Sequence, residues 1–214
     1  MNCPLCLGSG VRRFAEVRAS RFFRCGRCRL TFLAPEQRPD PEAERAHYGT
    51  HENDPADPRY RAFLDRLATP LARRLPAGAE GLDYGSGPGP ALSFMLVERG
   101  FRMAVYDPFF APAEDALGRK YDFVTCAETA EHFFAPAQEW ARLDRMLRPG
   151  GWLGVMTGML RDDAAFTGWR YARDPTHVCF YRPETMRWIA GRFGWERFAP
   201  ARDVTLFRKP VVAG

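Results

Sequence analysis

The stretch Leu82-Asp83-Tyr84-Gly85-Ser86-Gly87-Pro88-Gly89-Pro90 constrains the fold more than any other part of the chain. An apolar lead-in ends in an acidic residue, three glycines follow at every second position, and a helical run from Ala91 to Arg99 comes next. Glycine permits positive φ and lets a ligand approach the backbone with no Cβ in the way. The amides that open the next helix lack intrahelical partners and can serve such a ligand. A strand-to-helix turn of this kind is also a plain tight turn in many chains, so its meaning depends on the residues downstream.

Downstream of the turn, strands and helices alternate. Arg102 to Tyr106 predicts a strand ending at Asp107-Pro108, and Gly85 to Asp107 is 22 positions. That is the spacing at which an acidic strand tip holds the two hydroxyls of a ribose. Tyr121 to Cys126 reads as another buried strand, followed by Ala127-Glu128-Thr129-Ala130-Glu131-His132-Phe133. A helix from Ala135 to Leu147, the turn Arg148-Pro149-Gly150-Gly151 and a strand from Trp152 to Thr157 complete the series. Upstream, a helix from Pro58 to Leu75 carries Phe63, Leu64, Leu67, Leu71 and Leu75 on one face, with Asp57 as its N-cap. Toward the C-terminus lie a helix from Pro183 to Phe193 and an antiparallel pair, Trp195 to Ala199 and Val204 to Phe207. This order implies an α/β fold: a parallel sheet with helices on both faces and its ligand at the carboxyl ends of the strands.

The N-terminus is of another kind. Cys3-Pro4-Leu5-Cys6 and Cys25-Gly26-Arg27-Cys28 are two C-x-x-C pairs with 18 residues between them, the spacing of a tetrathiolate zinc site. Short strands at Val11 to Arg18 and Ser20 to Phe23 would join the knuckles, with Phe14, Phe22, Phe23 and Phe32 as a small core. About 33 residues bury too little apolar surface to fold alone, so the metal is expected to supply much of the stability. Two disulfides are the competing reading, disfavoured in a reducing compartment. Seven arginines and one acid lie between Met1 and Leu33, whereas the remaining residues hold 24 basic and 25 acidic side chains. After the charge of a zinc tetrathiolate, about four net positive charges would remain to attract a phosphate backbone.

Proline-rich Ala34 to Pro41 marks a boundary. The division expected is a ribbon over 1–33, a linker and lid segment over 34–56, and the larger domain over 57–214. Within the linker, Glu42 to Tyr48 predicts a short helix, and Tyr48, His51 and Tyr60 are candidates to close over the site. His47 and His51 have no third ligand nearby, which argues against a metal there. With 46% hydrophobic residues the chain has a real core, yet no stretch approaches the roughly 20 apolar residues of a membrane span. The opening Met1-Asn2-Cys3-Pro4 has no signal-peptide pattern, so a cytoplasmic protein without a membrane partner is expected.

The motifs LDYGSGPG, VYDP, YDFVTCAETAEHF and RMLRPGGWLGVMT, in this order, resemble the class I S-adenosylmethionine-dependent methyltransferases, closest to their ubiquinone-biosynthesis-like and small-molecule group. The resemblance covers roughly Asp57 to Lys209. It implies that Asp83, Gly85, Ser86 and Gly87 cradle the methionine part of the cofactor and that Asp107 binds the ribose. Pro108 and Phe109 would lie beside the adenine, and Ala127 and Glu128 would close the methionine side. The chain departs from the family between Asp107 and Tyr121, where only 14 positions stand in place of a helix, a third strand and an adenine-contacting acid. A sheet lacking that strand is expected, with Glu114 and Asp115 as the acids on hand.

Phe166 to Tyr181 is dense in aromatic, basic and histidine residues and lies where relatives build the substrate pocket. His177 is the first candidate for a base or substrate-orienting group, and His132 the second. Trp169, Tyr171 and Tyr181 are candidates to wall a flat substrate, whereas Cys126 and Cys179 read as buried thiols. The function expected is methyl transfer from S-adenosylmethionine to a small molecule, with RNA as the other acceptor the basic ribbon points to. The rival is a zinc-ribbon nucleic-acid-binding protein whose second domain senses the cofactor or serves as a scaffold.

Overall fold

The computed structural model describes residues 1–49 and 54–211; His51 lies outside them. Strands β1 (Val11–Val17), β2 (Ser20–Cys25) and β3 (Thr31–Leu33) form an antiparallel sheet. Helix α1 (Pro41–Tyr48) follows, capped by Asp40, whose side chain accepts from Ala43 N. Helix α2 (Pro58–Ala72) is capped by Asp57 and buries Leu64, Leu67, Ala68 and Leu71, the stripe the sequence predicts, though it ends three residues before Leu75.

Next come β4 (Glu80–Tyr84), α3 (Ala91–Val97), β5 (Arg102–Tyr106), α4 (Glu114–Leu117) and β6 (Tyr121–Ala127). Then follow α5 (Pro136–Met146), β7 (Leu147–Met156), β8 (Cys179–Phe180), α6 (Pro183–Phe193), β9 (Glu196–Phe198) and β10 (Val204–Arg208). The large sheet runs β5-β4-β6-β7-β10-β9, parallel through β7, with β10 and β9 antiparallel. Strand β5 is its edge, as the short interval after Asp107 predicts. That interval holds a bridge between Asp107 and Ala111 and the four-residue α4.

Strand alternation splits the core in two. Phe123, Met156 and Leu206 face α2 and α3, while Val124, Val155 and Phe207 face Trp140 of α5 and Ile189 of α6. Gly154 brings α2 close: a Cβ there would lie 2.9 Å from Leu67 Cδ1.

The ribbon is not self-contained. Its sheet takes a fourth strand, β8, from the far end of the chain, pairing Thr31 with Phe180 and Phe32 with Cys179. Phe22, expected in a small local core, packs edge-on against Phe166 and Phe180. Arg24 is 5% exposed, pairs with Asp163 at 2.5 Å and donates to Thr31 Oγ1. Apolar burial against the larger domain therefore stabilises the ribbon together with its cysteine centre.

Candidate active site

The carboxyl ends of the parallel strands open into a cavity of about 840 Å³. On one side lies the glycine turn. Gly85 has φ +78°, and a Cβ there would meet Thr129 Cγ2 at 2.2 Å, so only glycine fits. Buried Asp83 accepts from Thr125 Oγ1 (2.7 Å) and Ser93 Oγ (3.1 Å), and burial pushes its carboxyl up to about 6. Asp107 ties the next loop to the turn: Gly87 N donates to Oδ2 (2.9 Å), and Phe109 N and Phe110 N donate to Oδ1. Ser86 Oγ is buried with no hydrogen-bond partner. An orphaned hydroxyl beside a cradle that excludes Cβ atoms is what a polar ligand lying along this backbone would satisfy.

Ala127 and Glu128 continue the wall. Glu128 adopts φ +47°, its amide donating to Met156 O at 2.8 Å. Burial, then the nearby Glu131 and Asp203, push its carboxyl up to about 9. A cation placed against it would reverse that shift.

The opposite side is organised by Glu131, which is fully buried. Its carboxylate accepts from Tyr171 Oη (2.5 Å) and Thr157 Oγ1 (2.8 Å), and its carbonyl accepts from Val178 N (2.9 Å). His132 and His177 stand beside it, ring centroids 4.8 Å apart. Each places Nδ1 against a backbone carbonyl, His132 on Thr176 O (3.0 Å) and His177 on Tyr171 O (2.8 Å). A carbonyl only accepts, so each ring carries a proton on Nδ1, and in the neutral form of His177 Nε2 is the acceptor. Burial holds the His177 pKa below its ordinary value, keeping the ring neutral near pH 7. Helix α1 lies across the opening, with Tyr48 against both Phe109 and His132.

A family model described as a methyltransferase domain matches residues 53–198. The chain belongs to that family. Among solved structures, it is 14% identical to the 1,6-didemethyltoxoflavin-N1-methyltransferase of Burkholderia thailandensis, crystallised with 1,6-didemethyltoxoflavin and S-adenosylhomocysteine. The match covers 93% of this chain and 99% of that one, with a TM-score of 0.55. Human N-acetylserotonin methyltransferase, in complex with SAM, is 14% identical over 72% of this chain and 55% of its own, with a TM-score of 0.53. The PH0226 protein of Pyrococcus horikoshii is 15% identical over 77% and 98%, with a TM-score of 0.51. No curated protein matches the chain in sequence.

Within this methyltransferase domain, the residues expected at the cofactor, from Asp83 to Gly87, Asp107 to Phe109 and Ala127 to Glu128, all line the cavity. So do His132, His177 and Tyr171. Tyr181 does not. It is fully buried, donating to Ala130 O, accepting from Trp140 Nε1 and packing edge-on against the Trp140 ring. Trp169 is also off this cavity: it stacks behind Tyr171, centroids 4.9 Å apart, and lines a separate cleft. Glu114 and Asp115 are exposed on α4 and do not reach the cavity. At that end Tyr84 and Tyr106 stack, and Tyr84 Oη accepts from Arg142 Nη1 and donates to Glu139. Cys126 and Cys179 are buried thiols, burial raising both pKa values.

The four ribbon cysteines converge with all Sγ atoms within 4.8 Å of one another. Two equivalent knuckles present them. Leu7 N donates to Cys3 O and Cys3 N to Gly8 O; Arg29 N donates to Cys25 O and Cys25 N to Leu30 O. Leu7 and Arg29 both take positive φ, the bend each knuckle needs. The closest Sγ pairs are 3.4 Å apart, and the thiols are free rather than bridged. The donor set suits one tetrahedral zinc ion.

Proposed function

We propose that the protein is an S-adenosylmethionine-dependent methyltransferase acting on a small molecule, with a zinc ribbon that helps form the substrate side of the site. The observation that carries this reading is the charge of the cavity: six acidic side chains besides the protonated Glu128, against one arginine, line it among the described residues. Such a lining favours a cofactor with a sulfonium and an ammonium group and repels the phosphodiester backbone of RNA.

The cofactor supplies an electrophilic methyl group when bound. Asp83, Gly85, Ser86 and Gly87 would hold its methionine end, Glu128 the ammonium and Asp107 the ribose, with Pro108 and Phe109 beside the adenine. Nε2 of His177 accepts the proton the acceptor must lose, and His132 orients the acceptor. Glu131 is a positioning residue: it fixes Tyr171, whose carbonyl sets the His177 tautomer. The ribbon acts at the same place, since Leu33 N donates to Val178 O, one residue past His177. Three of its seven arginines are already paired, Arg13 with Glu16, Arg21 with Glu36 and Arg24 with Asp163, which reduces the surface open to RNA. A cytoplasmic location would keep the four clustered cysteines reduced for a metal.

Cell extract split into small-molecule and RNA fractions, incubated with protein and methyl-labelled cofactor, tests the reading. Label in the small-molecule fraction, lost with His177→Gln, is expected. Label in RNA overturns the acceptor class, and cofactor binding without transfer to either fraction supports the sensor or scaffold reading instead.

A further inference from the structure

Behind the Tyr171–Trp169 stack lies a second cleft of about 370 Å³, at the same edge of the sheet as the first. Three arginines from separate parts of the chain line it: Arg66 of α2, Arg161 after β7, and Arg202 before β10. Arg66 is paired with Asp203 at 2.7 Å. Arg161 donates to the carbonyl of Arg202 (2.9 Å), which brings these two residues together, and neither has a carboxylate at ion-pair distance among the described residues. The Trp169 indole forms one wall. Asp203 Oδ1 is buried there without a donor.

With three arginines against two aspartates, Asp162 and Asp203, this cleft carries a charge opposite in sign to that of the main cavity. Two guanidiniums without a carboxylate partner, lining one cleft, suit an anion, and arginine presents the donor geometry that phosphate oxygens match. An indole face suits a flat ring. The orphaned Asp203 oxygen asks for a hydroxyl or N–H on the ligand. We propose that this cleft binds a phosphate group carried on a ring, as part of the small-molecule acceptor. Resting on the methyltransferase reading, this makes the substrate bipartite: its nucleophile enters the acidic cavity beside His177, and its phosphate stays outside, on Arg161 and Arg202. The acidic lining of the main cavity explains why the phosphate could not be held inside.

Calorimetric titration of the protein saturated with S-adenosylhomocysteine tests this, with phenyl phosphate, phenol and inorganic phosphate as probes. Phenyl phosphate should bind at least tenfold more tightly than either of the others. The double substitution R161A/R202A, at two exposed positions, should weaken it at least tenfold while leaving S-adenosylhomocysteine binding unchanged. Phenyl phosphate that fails to saturate, binds no better than phenol, or binds R161A/R202A equally well overturns the cleft proposal. Failure of wild-type protein to bind the cofactor product is a separate result, and it bears on the methyltransferase reading.

Discussion

If Glu128 receives the cofactor ammonium, as proposed, cofactor binding is a proton-linked event. With its carboxyl held near 9 by burial and by Glu131 and Asp203, the group is almost wholly protonated at pH 7. If the cofactor ammonium seats against it, the carboxyl ionises and close to one proton is released per cofactor bound. Apparent affinity should then rise by about tenfold per pH unit between about pH 6 and 8. Calorimetry in buffers of differing ionisation enthalpy reads the released proton directly. Glu128→Gln should bind at least tenfold more weakly near pH 8, release no proton and lose the pH dependence. The empty protein carries a matching signature. Its native state keeps a proton that the unfolded chain sheds above about 4.5, so this contribution to stability is full below that value and lost as pH rises through about 9. Wild-type binding with no proton released would refute the placement of the ammonium at Glu128.

Gly85→Ala would force a left-handed residue and a Cβ into Thr129, costing at least about 1–2 kcal/mol from the backbone alone and abolishing cofactor binding; thermal unfolding and titration check both effects. For His177 the sign is opposite to that of Glu128. Its folded pKa is lowered, so the unfolded chain takes up the proton first, and its contribution is present above about 6.5 and lost below; the stability difference between wild type and His177→Gln should shrink as pH falls from 8 to 5. Tyr181→Phe should cost about 1–3 kcal/mol in denaturant unfolding, through the buried Trp140 and Ala130 partners, and leave cofactor affinity unaltered. Removing metal from the cysteine centre should speed amide exchange at Val178, whose carbonyl β3 holds; unchanged exchange there would separate the ribbon from the site.

That the residues expected at the cofactor share one wall of the cavity was legible in the sequence, because each sits at a strand tip, where local pattern places the backbone. The glycine turn, Asp107 and Glu128 fall at the ends of β4, β5 and β6, and the short interval after Asp107 announced the missing strand. The substrate side resisted reading for a physical reason. Residues 166–173 form two short 3₁₀ turns, which send Trp169 and Tyr171 into different clefts although they are two apart. Strand β8 has two residues and pairs with a strand far away in sequence, Thr31 with Phe180, so no periodicity marks it. Glu131 could have been found from its place beside His132, but its burial depends on Thr157 and Tyr171, which only the fold brings together.

Titration of the wild-type protein with S-adenosylmethionine tests the central claim most directly. The account predicts saturable binding of one molecule per chain, with a proton released near pH 7. A flat titration of folded, metal-loaded protein would contradict it.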